Sequence, residues 1–264
     1  MQFEANTQNT SLNEKTVFFS HLALRYKKYM ALHKEFGLLL RNQNKERDWG
    51  NVTEHCLVEA ARAEKISELL KFSEEITVNL IAAAIIHDTG KKIEIDYLNE
   101  HGSSLETIAK AQAEFGQLLQ TYNIDSKILY LAGSVGATEE VFAEIRRILS
   151  SEDPIPEEIA YLVMHYIDDY TINSEPASIS ADGQNDFDKR IDKNEHNPKY
   201  SGINESGRKL FNGKTTYQMQ RETGHLIEEF IAKKINGLHN KFIPAIDLPY
   251  EIDLLVQQDY LLNR

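Results

Sequence analysis

The sequence predicts an all-α protein, and three observations carry that expectation. Apolar residues return at intervals of three and four over most of the chain, as they do on one face of a helix. No run of residues alternates apolar and polar convincingly enough to suggest a sheet, and no internal repeat is visible. The breaks between periodic stretches carry helix caps: Asn51 with Glu54 three residues on, Gly90 after an apolar run, and Pro156 at the start of another.

Taken in order, residues 1–12 read as a polar arm. From Asn13 to about Asn44 the positions Val17, Leu22, Leu24, Tyr29, Leu32, Phe36 and Leu39 predict one long helix, or two broken near Gly37. A helix with Asn51 as N-cap follows to about Phe72, with His55, Glu59 and Arg62 close to one stripe. The apolar run Leu80–Ile86 places a helix over about Ile76 to Asp88, closed by Gly90 in a left-handed turn. Ile93 to Tyr97 reads as a link, and His101-Gly102-Ser103-Ser104 as a turn. Helices are then expected over Leu105–Leu119, Ser126–Ala132, Thr138–Leu149 and Glu157–Tyr170. Residues 173–203, rich in Ser, Asn, Asp and Gly, read as a flexible loop. Periodicity returns over Asn204–Asn236 and Tyr250–Leu262. The expected organisation is an N-terminal arm and helix (1–47), a core (48–172), the flexible loop (173–203) and a C-terminal helical extension packing on the core (204–264).

Composition narrows the function. The 264 residues carry a formal net charge of −12, which opposes broad electrostatic attraction to nucleic acid. No apolar run approaches the roughly 20 residues of a membrane span, and the polar N-terminus lacks the pattern of a secretion signal. The single cysteine, Cys56, fits a reducing compartment, so a cytoplasmic protein is expected.

The chemistry concentrates at His87-Asp88, where an imidazole and a carboxylate end an almost uniformly apolar helix. Groups desolvated in that way need a partner or a metal ion. His55 and Asp168, on other predicted helices, carry the same ligand chemistry. In this order the segments Val52-Thr53-Glu54-His55, His87-Asp88-Thr89-Gly90-Lys91 and Ile167-Asp168 resemble the HD superfamily of metal-dependent phosphohydrolases. The resemblance spans about residues 48–172 and implies an HD-domain-like helical bundle with additional N- and C-terminal helices. It also implies His55, His87, Asp88 and Asp168 as ligands of one divalent ion (Mn, Fe, Ni, Co or Zn, with Mg possible), a set that suits such ions and leaves positions open for water and a phosphate oxygen. Asp169 is the alternative to Asp168, and His165 shares their helical face.

The implied activity is phosphomonoesterase or phosphodiesterase chemistry by a metal-activated water on a small phosphorylated substrate such as a nucleotide. Lys91, Arg62 or Lys92 would balance phosphate charge, and Glu59 would support His55 or accept a proton. Lys91 occupies the position where HD deoxynucleotidases carry a glutamate, and Lys91-Lys92 the region where guanosine-tetraphosphate hydrolases carry a Glu-Asp pair. His101 is the candidate for a second metal. Two other functions compete: a non-catalytic module that binds a metal or nucleotide, with residues 173–264 as a partner or homodimer surface, and an HD-fold iron oxygenase, which needs more histidines. Neither a nucleic acid nor a membrane partner is expected.

Overall fold

In the computed structural model the described residues are 19–39, 49–172, 175–176 and 185–262. Among them the chain is all-α, with thirteen α-helices and one two-residue strand pair. The helices are α1 (Ser20–Arg25), α2 (Lys27–Glu35), α3 (Gly50–Leu70), α4 (Glu74–Ile86), α5 (Lys91–His101), α6 (Leu105–Thr121) and α7 (Ser126–Ala132). They continue as α8 (Glu139–Leu149), α9 (Pro156–Asp169), α10 (Asp186–Glu195), α11 (Ser201–Leu210), α12 (Thr216–His239) and α13 (Leu248–Gln257). Strands β1 (Thr171–Ile172) and β2 (Glu175–Pro176) pair antiparallel.

The bundle forms around α4. Its N-cap Ser73 accepts a hydrogen bond from the Ile76 N–H at 3.3 Å, and Glu74 and Glu75 lie in the first turn, where negative charge complements the helix dipole. Every residue from Leu80 to Ile86 is fully buried. A helix that is apolar on all sides must be enclosed by others, and α2, α3, α7 and α9 pack around it. Ala60, Ala61 and Ala63 on α3 and Ala82, Ala83 and Ala84 on α4 are all buried. Such small side chains let two helix axes approach closely, which fixes α3, carrying His55, against α4, which ends at His87.

The C-terminal end of α4 is held by a residue that carried no functional signal. His33 on α2 is buried, and its Nε2–H donates to the Ile85 carbonyl at 2.6 Å, satisfying one of the acceptors that a helix end leaves over. Burial pushes its pKa down to about 4, so the imidazole is neutral there. The last turn of α4, two residues before His87, is thereby anchored to α2.

The later helices wrap the same core. α12 packs on α3, α8, α9, α10 and α11, and α13 lies along α3. The buried guanidinium of Arg62 joins the last two, donating to Thr171 Oγ1 at 2.6 Å and to Asp253 Oδ1 at 3.3 Å. Lys65 reaches Asp259, and the Tyr260 hydroxyl donates to Glu64.

Several elements differ from the sequence reading. Asn51 is not the N-cap of α3: the helix begins at Gly50, with Trp49 as N-cap. Residues 91–101 form α5 rather than a link, because Lys91 and Glu94 pair across one turn at 3.2 Å and Gly102, at φ +81°, ends the helix. Inside the stretch expected to be loop, residues 186–195 form α10. Its N-cap Asn185 accepts from the Phe187 N–H, and Phe187 and Ile191 are buried. The helical periodicity over 204–236 belongs to two helices, α11 and α12, separated by a turn that the Thr215–Gln218 capping box closes. The polar arm, residues 1–12, lies outside the described residues, as do 13–18 and 40–44 of the first predicted helix.

Candidate metal centre

His55 and Glu59 stand one turn apart on α3, His87 caps the end of α4, and Asp168 lies near the end of α9. Packing these three helices brings the four side chains together. His55 Nε2 is 2.8 Å from Glu59 Oε1, and His87 Nε2 is 3.3 Å from Glu59 Oε2. Both Nε2 atoms are 3.5 Å from the same Asp168 oxygen, Oδ1. One ligand-type atom from each of the four groups lies within 4.8 Å of every other, an arrangement able to hold a metal ion.

The orientation of these groups fits a cation. The His87 Nδ1–H donates to the Ala84 carbonyl at 2.9 Å, which turns Nε2 toward the cluster. Glu59 is completely buried, and neither of its oxygens finds a hydrogen-bond partner despite the nearby nitrogens; His87 Nε2 is likewise without one. Buried carboxylate oxygens left in that way are costly. Two imidazoles and two carboxylates converging on one centre are satisfied together by a divalent ion. Asp168, with 27% of its side chain exposed, is the member that opens toward solvent.

The charges couple strongly. Burial opposes charge on His55, but Glu59 and Asp168 outweigh it and lift the pKa well above the ordinary imidazole value. Burial likewise opposes charge on His87, and Glu59 foremost overcomes it. For Asp168, burial would raise the pKa, yet His55 and His87 hold it well below the usual carboxylate range.

Asp88 does not belong to this group of four. Its carboxylate faces Lys91, with Nζ at 3.6 Å, and Lys91 also reaches Glu94. Asp88 raises the Lys91 pKa and thereby keeps the ammonium charged beside the cluster. Glu59, expected to support His55 or accept a proton, instead supplies a ligand-type oxygen. Asp169, the alternative to Asp168, is committed elsewhere: Oδ1 accepts from Gln220 Nε2 at 2.5 Å, and Oδ2 is 3.3 Å from His165 Nε2. His165 is fixed in turn by donating from Nδ1 to the Ser134 carbonyl at 2.7 Å.

Three other predicted groups are not brought to the centre. Arg62 is engaged by Thr171 and Asp253 as described above. Lys92 Nζ donates to the Gly37 carbonyl and lies over the Trp49 ring. His101 is exposed at the far end of α5, against Tyr97. Among the described residues it joins no ligand cluster.

Two cavities meet at the centre, and both are lined by Asp88, Lys91 and Asp168. One, on the His87 side, has walls from Ile108, Phe115, Val135, Gln112 and Gln220. The other, on the His55 side, is lined by Asn51, Thr171, Ile172 and Arg190. Arg190 on α10 and Gln220 on α12 were missed in the sequence. The apolar spacing of Phe187 and Ile191 behind a capping Asn185 was the signal for α10, whereas nothing local marked Gln220.

Gly90 does not close α4 in a left-handed turn: its φ is −84°, and it is the N-cap of α5. Its lack of a side chain serves packing instead. A Cβ added there would lie 2.4 Å from Phe115 Cγ, so the ring that walls the first cavity rests directly on the Gly90 backbone.

No protein-family model matches the chain, and no curated protein or solved structure does either. No helix among the described residues is long and apolar enough to cross a membrane.

Proposed function

We propose that the chain is a metal-dependent phosphohydrolase of the HD type, cleaving a phosphate ester of a nucleotide or another small phosphorylated metabolite with water. The observation that carries this reading is the buried His55-Glu59-His87-Asp168 cluster standing where two cavities meet. His55, His87 and Asp168, three of the four ligands implied by the resemblance, would hold one divalent ion together with Glu59, while the fourth, Asp88, borders them. A bound divalent ion supplies Lewis acidity toward a phosphoryl oxygen and acidifies water.

The chain's own groups have definite tasks in this reading. The Ala84 carbonyl orients His87, and His33 anchors the turn before it. Lys91, kept charged by Asp88, offers a cation to the phosphate as charge moves toward the leaving oxygen. Lys91 in place of the nucleotidase glutamate favours a substrate other than that of the HD deoxynucleotidases. The oxygenase alternative draws no support from His101, which stands away from the cluster.

The test combines elemental analysis with a panel of phosphate esters assayed with Mn, Fe, Co, Ni, Zn and Mg. About one metal ion per chain and turnover of at least one ester are expected, both lost in His87→Ala while circular dichroism keeps the helical signal. Tight metal binding without turnover of any ester would instead mark a sensing module. Failure to bind a metal at all would end both readings.

A further inference from the structure

The two cavities differ in chemistry, and the difference deepens the proposed function, on which this inference rests. The His55-side cleft brings together two cations from distant parts of the chain, Lys91 of α5 and Arg190 of α10, with Glu54 as its one carboxylate besides the shared Asp88 and Asp168. Arg190 is held by one arm only: Nη2 donates to the Asp169 carbonyl at 2.5 Å and stands 3.7 Å from Asp169 Oδ1, and the guanidinium sits over the Phe187 ring. Its Nε is buried and has no hydrogen-bond partner. A guanidinium fixed at one nitrogen and unmatched at another suits an oxyanion, because its planar fork can meet two oxygens of a phosphate.

The His87-side cavity offers no such charge. Its only lysine or arginine is Lys91, shared with the other cleft and already flanked by Asp88 and Glu94. Of its two imidazoles, His87 already faces Glu59 and Asp168, and His165 faces Asp169. Asp169, also at this wall, is matched by Gln220 and His165. The remaining walls are the Phe115 ring, the aliphatic Ile108 and Val135, and the Gln112 amide. A second phosphate on this side would meet Asp88 and Glu94 with no new cation, whereas a neutral ring would find an aromatic face and amides.

We propose that the substrate is a phosphomonoester of a small uncharged organic group, with its phosphate between Lys91 and Arg190 and its organic group against Phe115. Diphosphates and triphosphates are then poor ligands, since the cavity beyond the cluster repels a phosphate chain. Arg190 is the specificity-determining residue that the C-terminal third contributes.

The experiment uses the full chain loaded with Mn and measures inorganic phosphate binding by calorimetry. Arg190→Gln should weaken phosphate about tenfold to a hundredfold, the range of one charge-assisted hydrogen bond, and Arg190→Lys should weaken it less. Metal content and unfolding temperature, measured on the same variants, show that the centre and fold persist. An aryl monophosphate should compete with inorganic phosphate at least about tenfold better than the corresponding aryl diphosphate. Unchanged phosphate affinity in Arg190→Gln, no phosphate binding to the wild type, or equal competition by the diphosphate would each overturn the proposal. Arg190-dependent phosphate binding without hydrolysis of any ester would sink the hydrolase reading and leave the phosphate site standing. Ester hydrolysis with phosphate affinity indifferent to Arg190 would do the reverse.

Discussion

Replacing Gly90 by alanine tests whether the turn after His87 and the cavity wall are packed against each other as the structure shows. The new Cβ would lie 2.4 Å from Phe115 Cγ and 2.7 Å from both Cδ atoms. Carbon atoms in contact prefer about 3.5–4.0 Å, so the ring must retreat by about an ångström. It cannot do so freely, because Phe115 already packs edge-on to Phe36 with ring centroids 6.1 Å apart. Overpacking of this kind costs about 1–3 kcal/mol. The backbone itself adds no strain, since φ −84° is open to alanine, and the stiffer unfolded chain returns about 0.4–1 kcal/mol. A net loss of about 0.5–2 kcal/mol is expected, read as a lower urea midpoint at unchanged m-value. Phe115→Leu should relieve much of the cost, giving a coupling energy of about 1 kcal/mol or more in a double-mutant cycle. Wild-type stability in Gly90→Ala, or strict additivity in the cycle, would refute the close packing and free Gly90 for some other role.

Three further outcomes are expected. Glu59→Gln, nearly isosteric, should weaken metal binding about tenfold to a hundredfold by competition with a chelator, whether its oxygen ligates or only supports the imidazoles; unaltered affinity would remove Glu59 from the centre. Asp253→Ala strips the buried Arg62 of its charged partner and should destabilise the fold by about 1.5–3 kcal/mol in urea; a neutral result would show that Thr171 alone satisfies the guanidinium. His225, hydrogen-bonded to Glu228 and to Asp188 with burial opposing them, has its pKa raised to about 9. Its folded pKa lies above the unfolded value, so its stabilisation is complete below about pH 6.5 and fades as pH rises through about 9. With 38% of the side chain exposed, solvent screening reduces this to about 0.5–1 kcal/mol. The loss between about pH 6 and pH 9.5 should shrink in His225→Gln, and an identical pH profile would show that the pair contributes nothing.

Much of the fold was legible because its signals are local. The apolar run Leu80–Ile86 announced the central helix, and Ser126–Ala132 was read with the bounds it has. α5 was missed because Lys91 to His101 is amphipathic only weakly and buries none of its residues; the next helix over, α6, holds it in place. α10 was hidden by a composition typical of loops, although Phe187 and Ile191 insert into the core. At the centre, His55, His87 and Asp168 were nameable one by one, since each sits in a recognisable segment. What the chain could not reveal was which carboxylate joins the imidazoles: Asp88 pairs with Lys91, whereas Glu59, fully buried, stands against both histidines. Arg190 and Gln220 become neighbours of the cluster only through contacts of α10 and α12 with α9 and with each other, which no short window of sequence contains.

The four converging donors come from α3, α4 and α9, whereas Arg190 and Gln220 arrive from α10 and α12. In the proposed function Lys91 and Phe115, from the same stretch as the donors, also face the substrate, so the segment beyond residue 170 adds Arg190 and Gln220 to a wall already begun. Mutational libraries confined to codons 185–224 would vary those two side chains while the four converging donors stay as they are.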